Sequence, residues 1–351
     1  MIKIDGSYGE GGGQIVRTAL FLSLLTGKPF RIHNIRASRK NPGLKMQHLS
    51  IIRALKQITE SDAKGDKLNS TELEFHPGRV LGGNLKLDIH TAGSITLVLQ
   101  TLLPTLTLAE KPSKLTIIGG TDVPGGMTID YLRYIYQPFV ERFSKKIEVR
   151  VRRRGYYPAG GGIVEVEVYP TSSLKIKPIL LTEQGKLEFV KIISVSSTKL
   201  KKRNVAERQL KGAREILKKF NPIEVIHYEE SLTPGCSILA YAQFSSGAII
   251  GSDNIGKLGV PAEKIGQEAA KNLIHELNSG ATVDIHLQDN IIPLIALAGG
   301  EIVVSKVTKH TQTNIMVTEK FLPVKFQVRG RRIYIDEGYI QKAGGWDKIK
   351  K

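Results

Sequence analysis

The chain has 351 residues, 41% apolar and 24% charged, long enough for two domains and ordinary for a folded globular protein. Lys and Arg total 51 against 33 Asp and Glu, and a net charge of +18 favours polyanionic partners, because neutralising phosphates releases counterions. The single cysteine, Cys236, excludes an internal disulfide and a thiolate zinc cluster, no apolar run reaches the roughly 20 residues of a membrane span, and the polar start Met1-Ile2-Lys3-Ile4-Asp5-Gly6 is no signal peptide, so a cytoplasmic location is expected.

In chain order, Ile2-Lys3-Ile4-Asp5 reads as a short strand, followed by a turn at Gly9 to Gly13. The next helix carries Ile15, Val16, Ala19, Leu20 and Leu24 on one face, with Ser23 small enough for close packing, before a strand from Pro29 to Ile35. A second unit runs from Leu87-Asp88-Ile89-His90 through Thr91-Ala92-Gly93-Ser94 and an apolar helix to a strand, Lys114 to Ile118. A third repeats that pattern, from Val283-Asp284-Ile285-His286 through an apolar helix to Glu301 to Val307. A recurring strand–helix–strand unit predicts an α/β chain of duplicated modules. Between 181 and 277 the rhythm breaks. Strands are predicted at Phe189 to Val195, Ile223 to Tyr228 and Ser237 to Phe244, with helices at Val205 to Phe220 and Ala262 to Leu277. This segment reads as a small domain inserted into the larger one. Basic runs such as Arg152-Arg153-Arg154 and Lys199-Leu200-Lys201-Lys202-Arg203 fit either a nucleic-acid footprint or a surface rich in salt bridges.

Gly9-Glu10-Gly11-Gly12-Gly13-Gln14 sits between a strand and a helix, where glycine permits positive φ and a close backbone approach, and the helix N-terminus favours an anion. Turn geometry alone would also explain it. More specific is the series Gly9-Glu10-Gly11-Gly12-Gly13-Gln14-Ile15-Val16-Arg17, Arg36-Ala37-Ser38-Arg39, Gln47-His48-Leu49, Thr91-Ala92-Gly93-Ser94 with Gln100, Gly119-Gly120-Thr121-Asp122-Val123-Pro124, Gly155-Tyr156-Tyr157-Pro158, and Lys309-His310-Thr311-Gln312-Thr313-Asn314. In this order and spacing it resembles the RNA 3′-terminal-phosphate cyclase family over roughly residues 2 to 340, least so in the inserted segment.

The resemblance implies an α/β fold (α+β) with a large catalytic domain over 1–180 and 278–340, built of repeated modules that each back a four-stranded sheet with two parallel helices. A small α/β domain is inserted at 181–277 and a tail follows at 341–351. It also implies that a histidine attacks the α-phosphorus of ATP, that AMP passes to an RNA 3′-phosphate, and that the neighbouring 2′-hydroxyl displaces it to give a 2′,3′-cyclic phosphate. His310 matches the nucleophile. Glu10 matches a position near nucleotide and Mg²⁺ or Mn²⁺, although an acid there also suits a helix N-terminus. Arg17, Arg36, Arg39 and Gln47 match positions for the triphosphate or the RNA phosphate, against plain surface solvation. Gln100, Pro124 and the run His286, Leu287, Gln288, Asp289, Asn290 match the adenylate pocket, and Asp289 could bind metal or ribose, or end a strand. Val123 and Gly125-Gly126-Met127 replace a more polar, proline-rich stretch, and Asn290 stands where glutamine is often found.

Two decoys are set aside. Gly251-Ser252-Asp253-Asn254-Ile255-Gly256-Lys257-Leu258 approaches a P-loop but ends in leucine where a hydroxyl should meet Mg²⁺. Lys3-Ile4-Asp5-Gly6 resembles a lysine nucleophile motif but lies at the N-terminus in a strand pattern. Beside the ATP-dependent cyclase stand a cyclase-like protein without catalysis serving ribosome assembly, which His310, Glu10, Arg17 and Gln100 oppose, and a plain RNA-binding module.

Overall fold

The computed structural model describes residues 1–171 and 175–349. Three sheets share one plan. In the first, β1 (Ile2–Asp5), α1 (Gln14–Thr26), β2 (Phe30–His33), α2 (Met46–Ile58), β3 (Asp62–Lys64) and β4 (Leu73–His76) give the strand order β1-β2-β4-β3. The second uses β5 (Asn84–Asp88), α3 (Ile95–Leu106), β6 (Ser113–Gly119), α4 (Ile129–Tyr131) continuing through a π turn into α5 (Gln137–Glu141), β7 (Lys146–Arg153) and β8 (Gly162–Tyr169), in the order β5-β6-β8-β7. Each has a parallel first pair joined through a helix, then an antiparallel hairpin. A parallel pair needs such a crossover, whereas a hairpin does not. Alternation in β8 sends Val164, Val166 and Val168 inward and leaves Glu165 and Glu167 outside.

The third module is interrupted. Its first strand is β9 (Ile179–Leu181), and its remaining elements come only after a separate unit. That unit comprises β10 (Leu187–Ser197), α6 (Val205–Leu217), β11 (Ile223–Glu229), β12 (Cys236–Phe244), β13 (Ile249–Ile255) and α7 (Ala262–Ser279), with strand order β11-β10-β12-β13 and α6 packed on α7. Then α8 (Leu287–Ala298), β14 (Gly300–Val303), α9 (Lys309–Phe321), β15 (Gln327–Arg329) and β16 (Arg332–Ile335) complete the order β9-β14-β16-β15. The expectation of a strand at Val283-Asp284-Ile285-His286 is corrected here. β9 already holds the place beside β14, through Ile179↔Gly300, and Val283 makes only an isolated bridge to Ile249. What the repeated Asp marks is a turn. Asp5 Oδ1 accepts the Ser7 N–H, Asp88 Oδ1 that of His90, and Asp284 Oδ1 that of His286, at 2.9, 2.7 and 3.0 Å.

The modules close on one another as a ring. α2 packs on α3, α5 on α8, and α9 on α1, so each module's later helix covers the next module's first. α1, α3 and α8 are therefore enclosed, and their sequences are apolar nearly all round, as enclosure requires. The C-terminal stretch, expected as a tail, brings Trp346 back into the core, where its indole N–H donates to the Thr171 carbonyl at 3.0 Å.

Candidate functional site

Every crossover leads from a strand's C-terminal end into a helix N-terminus, which is where open α/β sheets bind ligands. The ring points the N-termini of α1, α2, α3, α4, α8 and α9 at one cleft of about 710 Å³. Summed helix dipoles and free N–H groups make such a place attractive to anions. α1 in particular starts at Gly13 with no side-chain cap.

Three residues interrupt the buried helices. Every residue of α3 is buried except Gln100, every residue of α8 except Asn290, and within α1 beyond its first position Arg17 breaks the run before the terminal Thr26. All three line the cleft. Arg17 has no carboxylate partner, and burial pushes its guanidinium down to about 10, still a cation at neutral pH. The Gln100 Oε1 is buried without a hydrogen-bond partner. An unmatched buried donor and acceptor cost about 1–3 kcal/mol each, so the place suits a ligand that completes them.

The first module supplies the basic wall. Gly9 and Gly11 adopt φ of +64° and +54°, which turns the loop back over α9 and α1. Gly13 admits no side chain, since a Cβ would lie 2.1 Å from Nε2 of His48. The Lys45 N–H donates to His48 Nδ1 at 2.9 Å, which leaves the proton on Nε2, where it has no acceptor. Burial, then the charges of Arg17, Arg36 and Lys45, push this imidazole down to about 3, so it stays neutral. Arg36 holds φ at +56°, a rare conformation for a residue with a Cβ, and its proton affinity falls through burial and then Arg39. Gln47 and Lys45 line the same wall.

Opposite lies α9. His310 Nε2 is 3.0 Å from Glu10 Oε2, and the same carboxylate oxygen is 3.6 Å from Arg39. A 13-residue helix and a glycine loop thus converge on one imidazole–carboxylate pair, both partly open to the cleft. Asp289 Oδ1 accepts the hydroxyls of Thr308 and Thr311 at 2.7 and 2.6 Å, and burial raises its carboxyl. Asn290 Nδ2 donates to the His286 carbonyl at 2.7 Å.

The structure thus gathers Glu10, Arg17, Arg36, Arg39, Gln47, Gln100, His286, Asp289, Asn290 and His310 around one space, Glu10 through its contacts with His310 and Arg39. Leu287 and Gln288 turn into the core instead, the amide of Gln288 donating to the Lys306 carbonyl. Pro124 is exposed and does not line the cleft; a left-handed Gly125 turns the chain so that Gly125, Gly126 and Met127 form that wall. Asp253, Lys45 and His48 line it too, without having been singled out for it. Of these, the Gln47-His48 run carried a legible signal, whereas Asp253 comes from β13 in the inserted unit. The P-loop lookalike from Gly251 is strand as far as Ile255, and Lys3 is exposed on β1 outside the cleft lining.

A cleft ringed by helix N-termini, with unpaired cations on one wall and a histidine–carboxylate pair on the other, defines a phosphate-handling α/β protein. The family model for RNA 3′-terminal phosphate cyclase matches residues 8–328. The RNA 3′-terminal phosphate cyclases of Thermococcus onnurineus and Thermococcus gammatolerans are 46% and 47% identical, each over 94% of this chain and 96% and 94% of their own. That of Saccharolobus islandicus is 44% identical over 95% of this chain and 97% of its own. The chain belongs to the RNA 3′-terminal phosphate cyclase family. Among the described residues no helix is long and apolar enough to cross a membrane.

Proposed function

We propose that the cleft converts an RNA 3′-terminal phosphate to a 2′,3′-cyclic phosphodiester at the expense of ATP, with His310 as the carrier of AMP. The observation that supports this reading best is the His310–Glu10 contact at 3.0 Å, facing the unpaired Arg17. Glu10 fixes the ring, a histidine nitrogen attacks the α-phosphorus, and the bond to pyrophosphate breaks. Arg17, the uncapped start of α1 and Gln100 receive the phosphates. The RNA 3′-phosphate, held by Arg36 and Arg39, then attacks the same phosphorus, and the nitrogen–phosphorus bond breaks. Finally the 2′-hydroxyl, already adjacent, attacks the activated 3′-phosphorus and AMP leaves; proximity supplies most of that step.

Glu10 fits a divalent ion, Mg²⁺ or Mn²⁺. Its Oε1 accepts no hydrogen bond, and Mg²⁺ is usually held by one or two carboxylates together with substrate phosphates. When bound, the ion offsets charge on the departing pyrophosphate. No cluster of three or more metal-ligating side chains occurs among the described residues, so the phosphates would complete its shell. The test is retention of acid-labile label from α-labelled ATP. Absence of label under divalent ion would remove adenylylation from this reading. RNA-binding without labelling would favour the non-catalytic alternative of a cyclase-like protein in ribosome biogenesis.

A further inference from the structure

Among the residues lining the cleft, one comes from the inserted unit: Asp253, on β13. Its Oδ2 accepts the Thr128 N–H at 2.6 Å, which fixes the carboxylate plane. Its Oδ1 accepts no hydrogen bond among the described residues. Gly125, Gly126, Met127 and Leu97 also line the cleft, giving it a flat, weakly polar stretch. This is the end away from the reacting pair. Asp289 is the carboxylate that feels His310, whereas the charged side chains acting on Asp253 are His286 and Asp284.

A nucleotide whose α-phosphorus meets His310 and whose other phosphates meet the cations has its base farthest from both. At that end a carboxylate repels phosphate and can only accept hydrogen bonds. Adenine offers an exocyclic amine to such an acceptor; a 6-oxo purine would set one lone pair against another. We propose that Asp253 reads the base, its Oδ1 accepting the exocyclic amine of adenine, so that the inserted unit supplies the adenine specificity of the cleft. This rests on the adenylylation reading above.

Asp253→Asn tests it, because the Thr128 N–H dictates which way the amide turns. Its oxygen must accept that N–H, so its NH₂ faces the cleft and becomes a donor suited to a 6-oxo group. The measurement is the rate of covalent labelling of the full chain from ATP, inosine triphosphate and 2′-deoxyATP, as kcat/KM. Wild type should prefer ATP over inosine triphosphate by about tenfold or more, and Asp253→Asn should bring that ratio to about one or invert it. Asp253→Ala, with neither donor nor acceptor, should collapse the ratio without favouring inosine. The ratio of ATP to 2′-deoxyATP should stay fixed in both. An unchanged base ratio overturns the assignment, and so does a shift confined to the 2′-deoxy ratio, which would put the carboxylate on the ribose. No labelling of wild type by any nucleotide would overturn both this inference and adenylylation itself.

Discussion

Arg154 is among the largest fully buried side chains, with 1% of it exposed, and it holds three carboxylates at once. Its guanidinium lies 3.2 Å from Asp122, 2.8 Å from Asp130 and 3.0 Å from Glu229, whose side chains are 0%, 5% and 29% exposed. Asp122 and Asp130 flank the loop that forms one cleft wall, and Glu229 belongs to β11 of the inserted unit. Arg154→Met keeps the bulk and removes the cation. Glu229 can rehydrate in place, whereas Asp122 and Asp130 cannot, so the loss is that of stranding buried charge: about 3–5 kcal/mol at neutral pH. The pH dependence follows from Asp122. Burial already raises its carboxyl above the usual range, with Arg154 opposing, so deleting Arg154 raises it further. A folded state that binds the proton more readily than the unfolded chain gains stability as pH falls through the raised value. The deficit of Arg154→Met should therefore be widest near pH 8 and narrow by about pH 5.5, read from urea unfolding by far-UV circular dichroism. Adding Asp122→Asn should recover about 1 kcal/mol or more of the loss at the higher pH. A deficit under about 1 kcal/mol, or one independent of pH, would refute the argument that this cluster is held by its cation.

His310→Ala should abolish retention of AMP without changing the circular dichroism spectrum, whereas Lys3→Ala, on an exposed strand position, should label normally. Arg36→Ala and Arg39→Ala should still form the adenylate but pass it poorly to RNA, each lowering the salt slope of RNA binding by about one unit per lost phosphate contact. Failure at the first step would instead assign them to ATP. An RNA ending in a 2′-deoxy nucleotide with a 3′-phosphate should accept AMP and stop at the anhydride, while a 3′-hydroxyl end should give no product; joining of that end to a 5′-phosphate would make the enzyme a ligase.

Where periodicity is local, sequence located the elements well. The strand expected at Phe189 to Val195 lies inside β10, and the helix expected from Val205 ends as α6 at Leu217 with a 3₁₀ turn to Phe220. The first strand of the third module was illegible for a definite reason. β9 is three residues long and gains its partner, β14, only across the whole inserted unit, so nothing near it in the chain shows the pairing. The Asp-Ile-His echo misled because an Asx turn is a side-chain device that can follow a strand, as at Asp88, or stand alone, as at Asp284. In the cleft, Gln100 was legible as an amide stranded in an apolar helix. Asp253 was not, because in β13 it alternates like any outward polar residue, and only the docking of the inserted unit turns it inward.

The ring explains how a repeated unit acquires a directional site. Repetition alone would give three equivalent helix starts and a cleft with no preferred end. Divergence at the interrupting position breaks that equivalence: α1 carries a guanidinium, Arg17, where α3 and α8 carry the amides Gln100 and Asn290. The cations Arg36, Arg39 and Lys45 fall in the same module as Arg17, while the carboxylates Asp289 and Asp253 come from the third module and the inserted unit. Charge therefore grades across a space that the backbone builds almost symmetrically. An anionic group and a neutral, donor-bearing group of one ligand can then dock in only one sense, which is what an attack by His310 on a single phosphorus requires.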